Sequence, residues 1–274
     1  MATIAQLLKK IPARQIVGFA RSEAKAKQLV AKGISVRYGN FDDRASLEKA
    51  MQGIDKVLLI STTDDQRYQQ HKNVIDAAKK AGVKQIAYTS GKLNNVDSSP
   101  LKSHLQSHFQ TEDYIKNSGL SYTIFRNTLY AEVIPVYVGE AVFESGIHLP
   151  AGKGKVPYAL RREMGEAIGN ALLQKNPQKT IYTLTGSKLY SYYDIASALS
   201  EISGQTVCYI DVDPAPFPKQ LKQRGMPDLM IAIVSGFAAD IKNRQYELVR
   251  DDLEQLLGRK PAPLKAALKE IYSL

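Results

Sequence analysis

Cysteine is nearly absent from this 274-residue chain. Cys208 stands alone, so no internal disulfide can form, which excludes a disulfide-stapled secreted scaffold. Long hydrophobic runs are absent too. The longest apolar stretch, Leu229 to Ala239, is interrupted by Ser235 and Gly236 and falls short of the ~20 residues a membrane span needs. The opening MATIAQLLKK lacks the order of a signal peptide, because its apolar residues are spaced as on a helix face and its lysines follow them. A reducing, cytoplasmic setting without a membrane span is therefore expected. Acidic residues are outnumbered, 27 against 37 basic ones, for a net charge of +10. The excess is scattered in pairs (Lys9-Lys10, Lys79-Lys80, Arg161-Arg162, Arg259-Lys260), mostly at predicted helix ends, where cations meet the negative pole of the helix dipole. No basic stripe points to a nucleic-acid partner.

Apolar residues make up 44% of the chain, enough for one large or two modest domains. In the first half, helix-period and strand-period segments alternate with short joints, the signature of parallel strands crossed over by helices. The spacing predicts helices near 2–10, 23–32, 43–52, 65–81 and 101–118, and strands at 15–20, 34–38, 56–60, 84–89 and 121–126. Four of these helices stop at a glycine (Gly33, Gly53, Gly82, Gly119), as a left-handed cap requires. Strand runs such as VLLI and QIAY are apolar on successive residues, which suits a sheet covered on both faces. Beyond Arg126 the rhythm loosens into helices near 128–145, 161–174 and 191–202, strands at 180–184 and 205–211, and three closing helices, one of them Met226–Tyr246. The expectation is an α/β chain with a Rossmann-type, doubly wound parallel sheet over residues 1–126 and a smaller substrate-binding α/β part over 127–274.

A dinucleotide-binding sheet opens with a strand and a glycine-rich turn whose bare amides receive the pyrophosphate. None of the 18 glycines supplies that turn, the nearest pattern being Gly152-Lys-Gly154, far from any first strand. Other segments are more telling: PARQIVGFARSEAKAKQLVAKGISVRYGNFDD, KVLLIS, HKNVIDAAKKAGVKQIAYTS, SYTIFRN followed by Tyr130, YALRREMGEAI, and LLGRKPAPL. Together, from Pro12 onward, they resemble the NmrA-like branch of atypical short-chain dehydrogenases, in particular its type 2 NADPH:quinone oxidoreductase and triphenylmethane reductase group. The resemblance implies a strand and a TGATGxLG-type loop ahead of the part matching Ala2–Lys10. The expectation is that Met1 is an internal methionine or a mis-set start, and that a central strand and the pyrophosphate site belong to a short upstream segment.

Arg21 closes a strand at the place where an acidic residue would accept the ribose hydroxyls of NAD, and an arginine suits the 2′-phosphate of NADP. With Ser22 and Lys25 beside it, NADPH is the expected cofactor. The resemblance places Asn40 and Phe41 beside the adenine, although the family often has Asp at the position of Asn40. Ser61, Thr62 and Thr63 follow KVLLI, and Thr89 and Ser90 follow KQIAY, at the strand ends where ligands bind in open α/β sheets. Two Tyr-x-x-x-Lys pairs occur, Tyr68/Lys72 and Tyr88/Lys92. With 15 tyrosines, roughly 1.4 such pairs arise by chance, so neither carries weight as a proton-transfer pair. A quinone needs little acid–base help, so the candidates for the reacting end are positioning groups: His108, which matches a family histidine, Asn127 and Tyr130 after a strand end, and Tyr158 beside the substrate. No histidine, cysteine or carboxylate spacing reads as a metal site. The reading is an NADPH-dependent reductase of quinones or similar electron-poor small molecules. Two alternatives stay open: an NAD(P)-sensing regulator without turnover, and an inactive truncated product.

Overall fold

The computed structural model describes residues 1–139, 141–174 and 181–274. Helix and strand alternate from the start: α1 (Ala2–Leu8), β1 (Val17–Ala20), α2 (Glu23–Val30), β2 (Ser35–Tyr38), α3 (Arg44–Met51), β3 (Lys56–Ile60), α4 (Arg67–Lys80), β4 (Gln85–Gly91), α5 (Lys102–Lys116) and β5 (Ser121–Asn127). Local chemistry sets these boundaries. The Ser22 and Asp43 side chains accept from the third amides beyond them and start α2 and α3. Gly33, Gly53, Gly82 and Gly119 all take φ between 70° and 82°, ending the four helices as their sequence positions required.

The later elements are α6 (Ile134–Val138), α7 (Val142–Ser145), β6 (Ile147–His148), α8 (Arg161–Leu173), β7 (Ile181–Leu184), α9 (Tyr192–Ser203), β8 (Tyr209–Ile210), α10 (Phe217–Gln223), α11 (Asp228–Lys242), α12 (Asp252–Leu257) and α13 (Leu264–Tyr272). Here the expectations need correction. The helix expected over 128–145 is a short 3₁₀ turn and two helices interrupted at Gly139, whose φ of +87° no continuous helix accepts. The strand expected over 205–211 contracts to β8, which pairs in parallel with the unforeseen β6. The helix expected over Met226–Tyr246 starts only after Pro227, and four helices, not three, close the chain. Position 180 of the expected strand at 180–184 lies outside the described residues.

The strands form an α/β arrangement in separate ribbons. β1 and β2 pair in parallel, Val17 opposite Ser35. β3, β4, β5 and β7 form a second sheet in that order, with β3 and β4 parallel and Lys56 opposite Gln85. Among the described residues β1 has no partner besides β2, and β3 none besides β4. The consequence is visible in burial: β4 is buried through its five central residues, whereas Ile60 at the end of β3 is 58% exposed.

The chain divides into two compact units. The first comprises Met1–Ser90, Gln106–Arg126 and Ile168–Tyr182. Its core gathers Leu47, Leu59, Val74, Ile86, Tyr88, Ile115 and Ile124, with Phe19 and Val57 packed against them. The Gln6 Nε2 amide donates to Asn170 Oδ1 at 2.6 Å, and Gly169 leaves room for the Gln6 stem, which fastens α1 to α8. The second unit comprises Gly91–Leu105, Asn127–Ala167 and Thr183–Leu274, around Ile134, Ile147, Tyr158, Tyr192, Leu199, Val234 and Leu268. Segment 91–105 joins it through backbone and side-chain bonds: Lys92 N to Asn127 O at 2.8 Å, Asn94 Nδ2 to Arg244 O at 2.9 Å, and Ser99 Oγ to Asp240 Oδ2 at 2.7 Å. One crossing between the units falls at 126/127, and segments 91–105 and 168–182 add further ones.

Candidate active site

In the first unit, polar side chains collect at the C-terminal ends of β3 and β4, where parallel strands leave their carbonyl ends and first helical turns open to a ligand. The Ser61 amide donates to Thr89 Oγ1 at 3.0 Å, tying the two strand ends together. Ser61 Oγ donates to Thr62 O at 3.3 Å, and Thr62 Oγ1 to Gln70 Oε1 at 3.4 Å. Thr63 is exposed. Ser90, buried, donates to the Glu112 carboxylate on α5 at 2.7 Å. Glu112 is fully buried and takes a two-pronged contact from Arg126 at 2.6 to 3.2 Å, so its charge is paired and bonded as burial demands. That carboxylate holds the Arg126 guanidinium above its ordinary range.

His108, on α5, is half-buried, and both ring nitrogens are engaged. Nδ1 lies 3.0 Å from Tyr88 Oη and Nε2 lies 3.4 Å from Arg67 Nη1. Arg67 is only 4% exposed; its Nε donates to Ser107 Oγ at 2.8 Å and its Nη1 to Thr62 O at 2.9 Å. Burial pulls this guanidinium below its ordinary range and pushes the Tyr88 phenol up to about 12. Below them His71, with no exposed surface, contacts Thr111 Oγ1 through Nδ1 at 3.0 Å. Desolvation, aided by the Arg67 charge, lowers its pKa to about 4.

At the end of β1, Arg21, Ser22 and Lys25 are exposed, with the Ser22 hydroxyl capping α2. Past β2, Asn40 and Phe41 form a loop braced by Ser46, whose Oγ accepts from the Asn40 amide at 3.3 Å, and Phe41 stacks on Phe19 at 5.9 Å. The second unit carries the other candidates. Asn127 is 8% exposed; its Nδ2 donates to Tyr130 Oη at 3.2 Å, and its buried Oδ1 has no hydrogen-bond partner among the described residues. The Arg161 guanidinium lies 4.7 Å from the Tyr130 ring centroid. Tyr158 is set inside the core, 4% exposed, its hydroxyl on Tyr192 at 3.3 Å.

Neither Tyr-x-x-x-Lys pair forms a proton-transfer couple. Lys72 lies over the Tyr68 and Tyr114 rings at 5.8 and 4.9 Å, while Tyr88 bonds His108 and Lys92 bonds Asn94 and Gln245 O. Sequence reasoning missed Arg67, Glu112 and Arg161, and set Tyr88 aside together with its Tyr-x-x-x-Lys pair. The one available signal was the i,i+4 spacing of His108 and Glu112, which puts both on one face of α5.

The sequence profile of the NmrA-like family matches residues 3–266. The chain belongs to that family. Among its NmrA-like relatives, quinone oxidoreductase 2 of Escherichia coli (strain K12) is 35% identical over 275 residues, covering 99% of this chain and 94% of its own. The crystal structure of the NADPH-dependent quinone oxidoreductase QOR2 from Escherichia coli complexed with NADPH is similar with a TM-score of 0.92 and 34% identity, over 99% of this chain and 95% of that one. The Citrobacter sp. triphenylmethane reductase follows with a TM-score of 0.90 and 31% identity, over 100% of this chain and 95% of that one. Among the described residues of this NmrA-like chain, no helix is long and apolar enough to cross a membrane.

The exposed cations of the first unit fit the 2′-phosphate of a phosphorylated dinucleotide. Arg21 and Lys25 are exposed, with Ser22 between them in sequence. In the second unit, Asn127 Oδ1 is a buried acceptor with no hydrogen-bond partner among the described residues. No described residue is assigned to the diphosphate.

Proposed function

We propose that the chain is an NADPH-dependent reductase that delivers hydride to a quinone or a similar electron-poor small molecule. The observation that carries this reading is the likeness, at 34% identity over 99% of the chain, to a quinone oxidoreductase crystallised with NADPH. Bound NADPH supplies the hydride, that is, one proton and two electrons. The chain's own residues do the rest, which is chiefly placement. Arg21, Ser22 and Lys25 receive the 2′-phosphate. Asn40 and Phe41 border the adenine. Ser61, Thr62, Thr63, Thr89 and Ser90 line the strand ends that take the nicotinamide ribose.

After hydride arrives, a quinone becomes the hydroquinone anion and needs one further proton. Tyr130 is the donor in this reading, supported by Asn127 Nδ2 donating to its oxygen, which leaves the phenolic proton directed elsewhere. Asn127 Oδ1 takes the nicotinamide carboxamide. His108 serves from α5, with both ring nitrogens engaged. Tyr158, sealed in the core, supports the substrate region by packing.

The test is NADPH oxidation by the 274-residue chain against a panel of quinones, beside the Arg21→Ala variant. The expected result is quinone-dependent oxidation, and a roughly tenfold loss of preference for NADPH over NADH in the variant, the worth of one charged hydrogen bond. NADPH binding without turnover on any quinone would overturn the reductase and favour a sensor. Unchanged cofactor preference would remove Arg21 from the 2′-phosphate site.

A further inference from the structure

The bonds around His108 restrict its protonation state through elementary donor chemistry. A guanidinium has only donors, so the Arg67 Nη1 contact at 3.4 Å requires His108 Nε2 to be a bare acceptor. A proton on Nε2 would set donor against donor, and an imidazolium would set a second positive charge beside a buried one. The ring proton therefore belongs on Nδ1, where it is donated to Tyr88 Oη at 3.0 Å. Tyr88 then keeps its own phenolic proton.

The neighbours agree on direction. Ser61 Oγ donates to Thr62 O, and Thr111 Oγ1 donates to Ser107 O at 2.7 Å, so both hydroxyl oxygens are left as acceptors. His71 obeys the same rule, giving its Nδ1 proton to Thr111 and keeping Nε2 bare in the interior. Arg67 carries this arrangement to the end of β3, because its Nη1 donates at 2.9 Å to Thr62 O, the same carbonyl that accepts from Ser61 Oγ at 3.3 Å.

We propose that Arg67 and Tyr88 hold His108 as the neutral ring protonated on Nδ1. This makes His108, Tyr88 and Arg67 positioning residues for the Ser61 hydroxyl at the cofactor end of β3, not a source of protons for the substrate. The kinetic half of this proposal rests on the reductase reading. The tautomer does not depend on it.

The test begins with long-range proton–nitrogen NMR correlation on the whole chain labelled with ¹⁵N-histidine, near neutral pH and without ligand. The His108 signal is assigned by its disappearance in His108→Asn. The expected pattern is the neutral Nδ1-protonated tautomer. A ring protonated on Nε2, or on both nitrogens, overturns the proposal. The second measurement is Tyr88→Phe, which keeps the buried ring and removes the hydroxyl link. Its expected effects are a shift of His108 away from the pure Nδ1 tautomer, and an NADPH KM raised about fivefold with kcat within about twofold, as for loss of one hydrogen bond acting through the cofactor. A fall in kcat at unchanged KM would place His108 on the reacting ring and refute the positioning role. Absence of NADPH oxidation by the wild-type chain with every quinone of the panel refutes the reductase reading, and the NMR pattern still decides the tautomer.

Discussion

His71 shows how much a single buried side chain contributes. With its ring sealed between α4 and α5, its pKa is lowered to about 4, against an ordinary 6.5 in the unfolded chain. The folded state therefore refuses a proton that the unfolded state accepts. The contribution to stability is fully present above about pH 6.5 and is lost progressively as pH falls toward 4, amounting to about 3 kcal/mol across that window. Urea midpoints should decline between pH 7 and pH 5, and a His71→Leu variant should flatten the decline. An equal slope in the variant would mean that His71 is not the group responsible. At this scale the sequence was half legible. The short hydroxyls after β3 and β4 could be located from strand ends alone. Arg67 could not, because it meets His108 across 41 positions of chain and nothing local marks that pairing.

Elements were legible where their signals were local. Helix α9 starts at a capping box in which the Asp194 amide donates to Ser191 Oγ at 3.3 Å and the Ser191 amide to Asp194 Oδ2 at 2.7 Å. Ser191→Ala should lower stability by about 1 kcal/mol, measured by chemical denaturation, with Asp194→Asn costing less because its side-chain oxygen remains an acceptor. No change in Ser191→Ala would show that the hydroxyl is replaced by water without cost. The element that failed, the helix expected over 128–145, did so for a physical reason. Its apolar residues have helical spacing, yet Gly139 adopts a left-handed conformation and splits the run into α6 and α7.

On the scale of the whole molecule, the sheet is divided. β1 pairs with β2 alone and β3 has β4 on one side only, so half of their backbone groups lack a sheet partner among the described residues. Burial follows: β2 is exposed at both ends, whereas β4 is buried throughout its middle. Hydrogen–deuterium exchange should be at least about tenfold faster in peptides covering β1 and β2 than in those covering β4. Equal protection would mean that the outer edges of β1 and β3 are covered in solution. Periodicity, capping side chains and glycine stops are short-range, and they settled the order of helices and strands and the ends at which hydroxyls gather. Pairing is long-range. Which strands share an edge, how Glu112 comes under Ser90 and Arg126, and why Asn127 Oδ1 has no partner among the described residues all follow from contacts that close only when distant segments pack, and no window of sequence contains them.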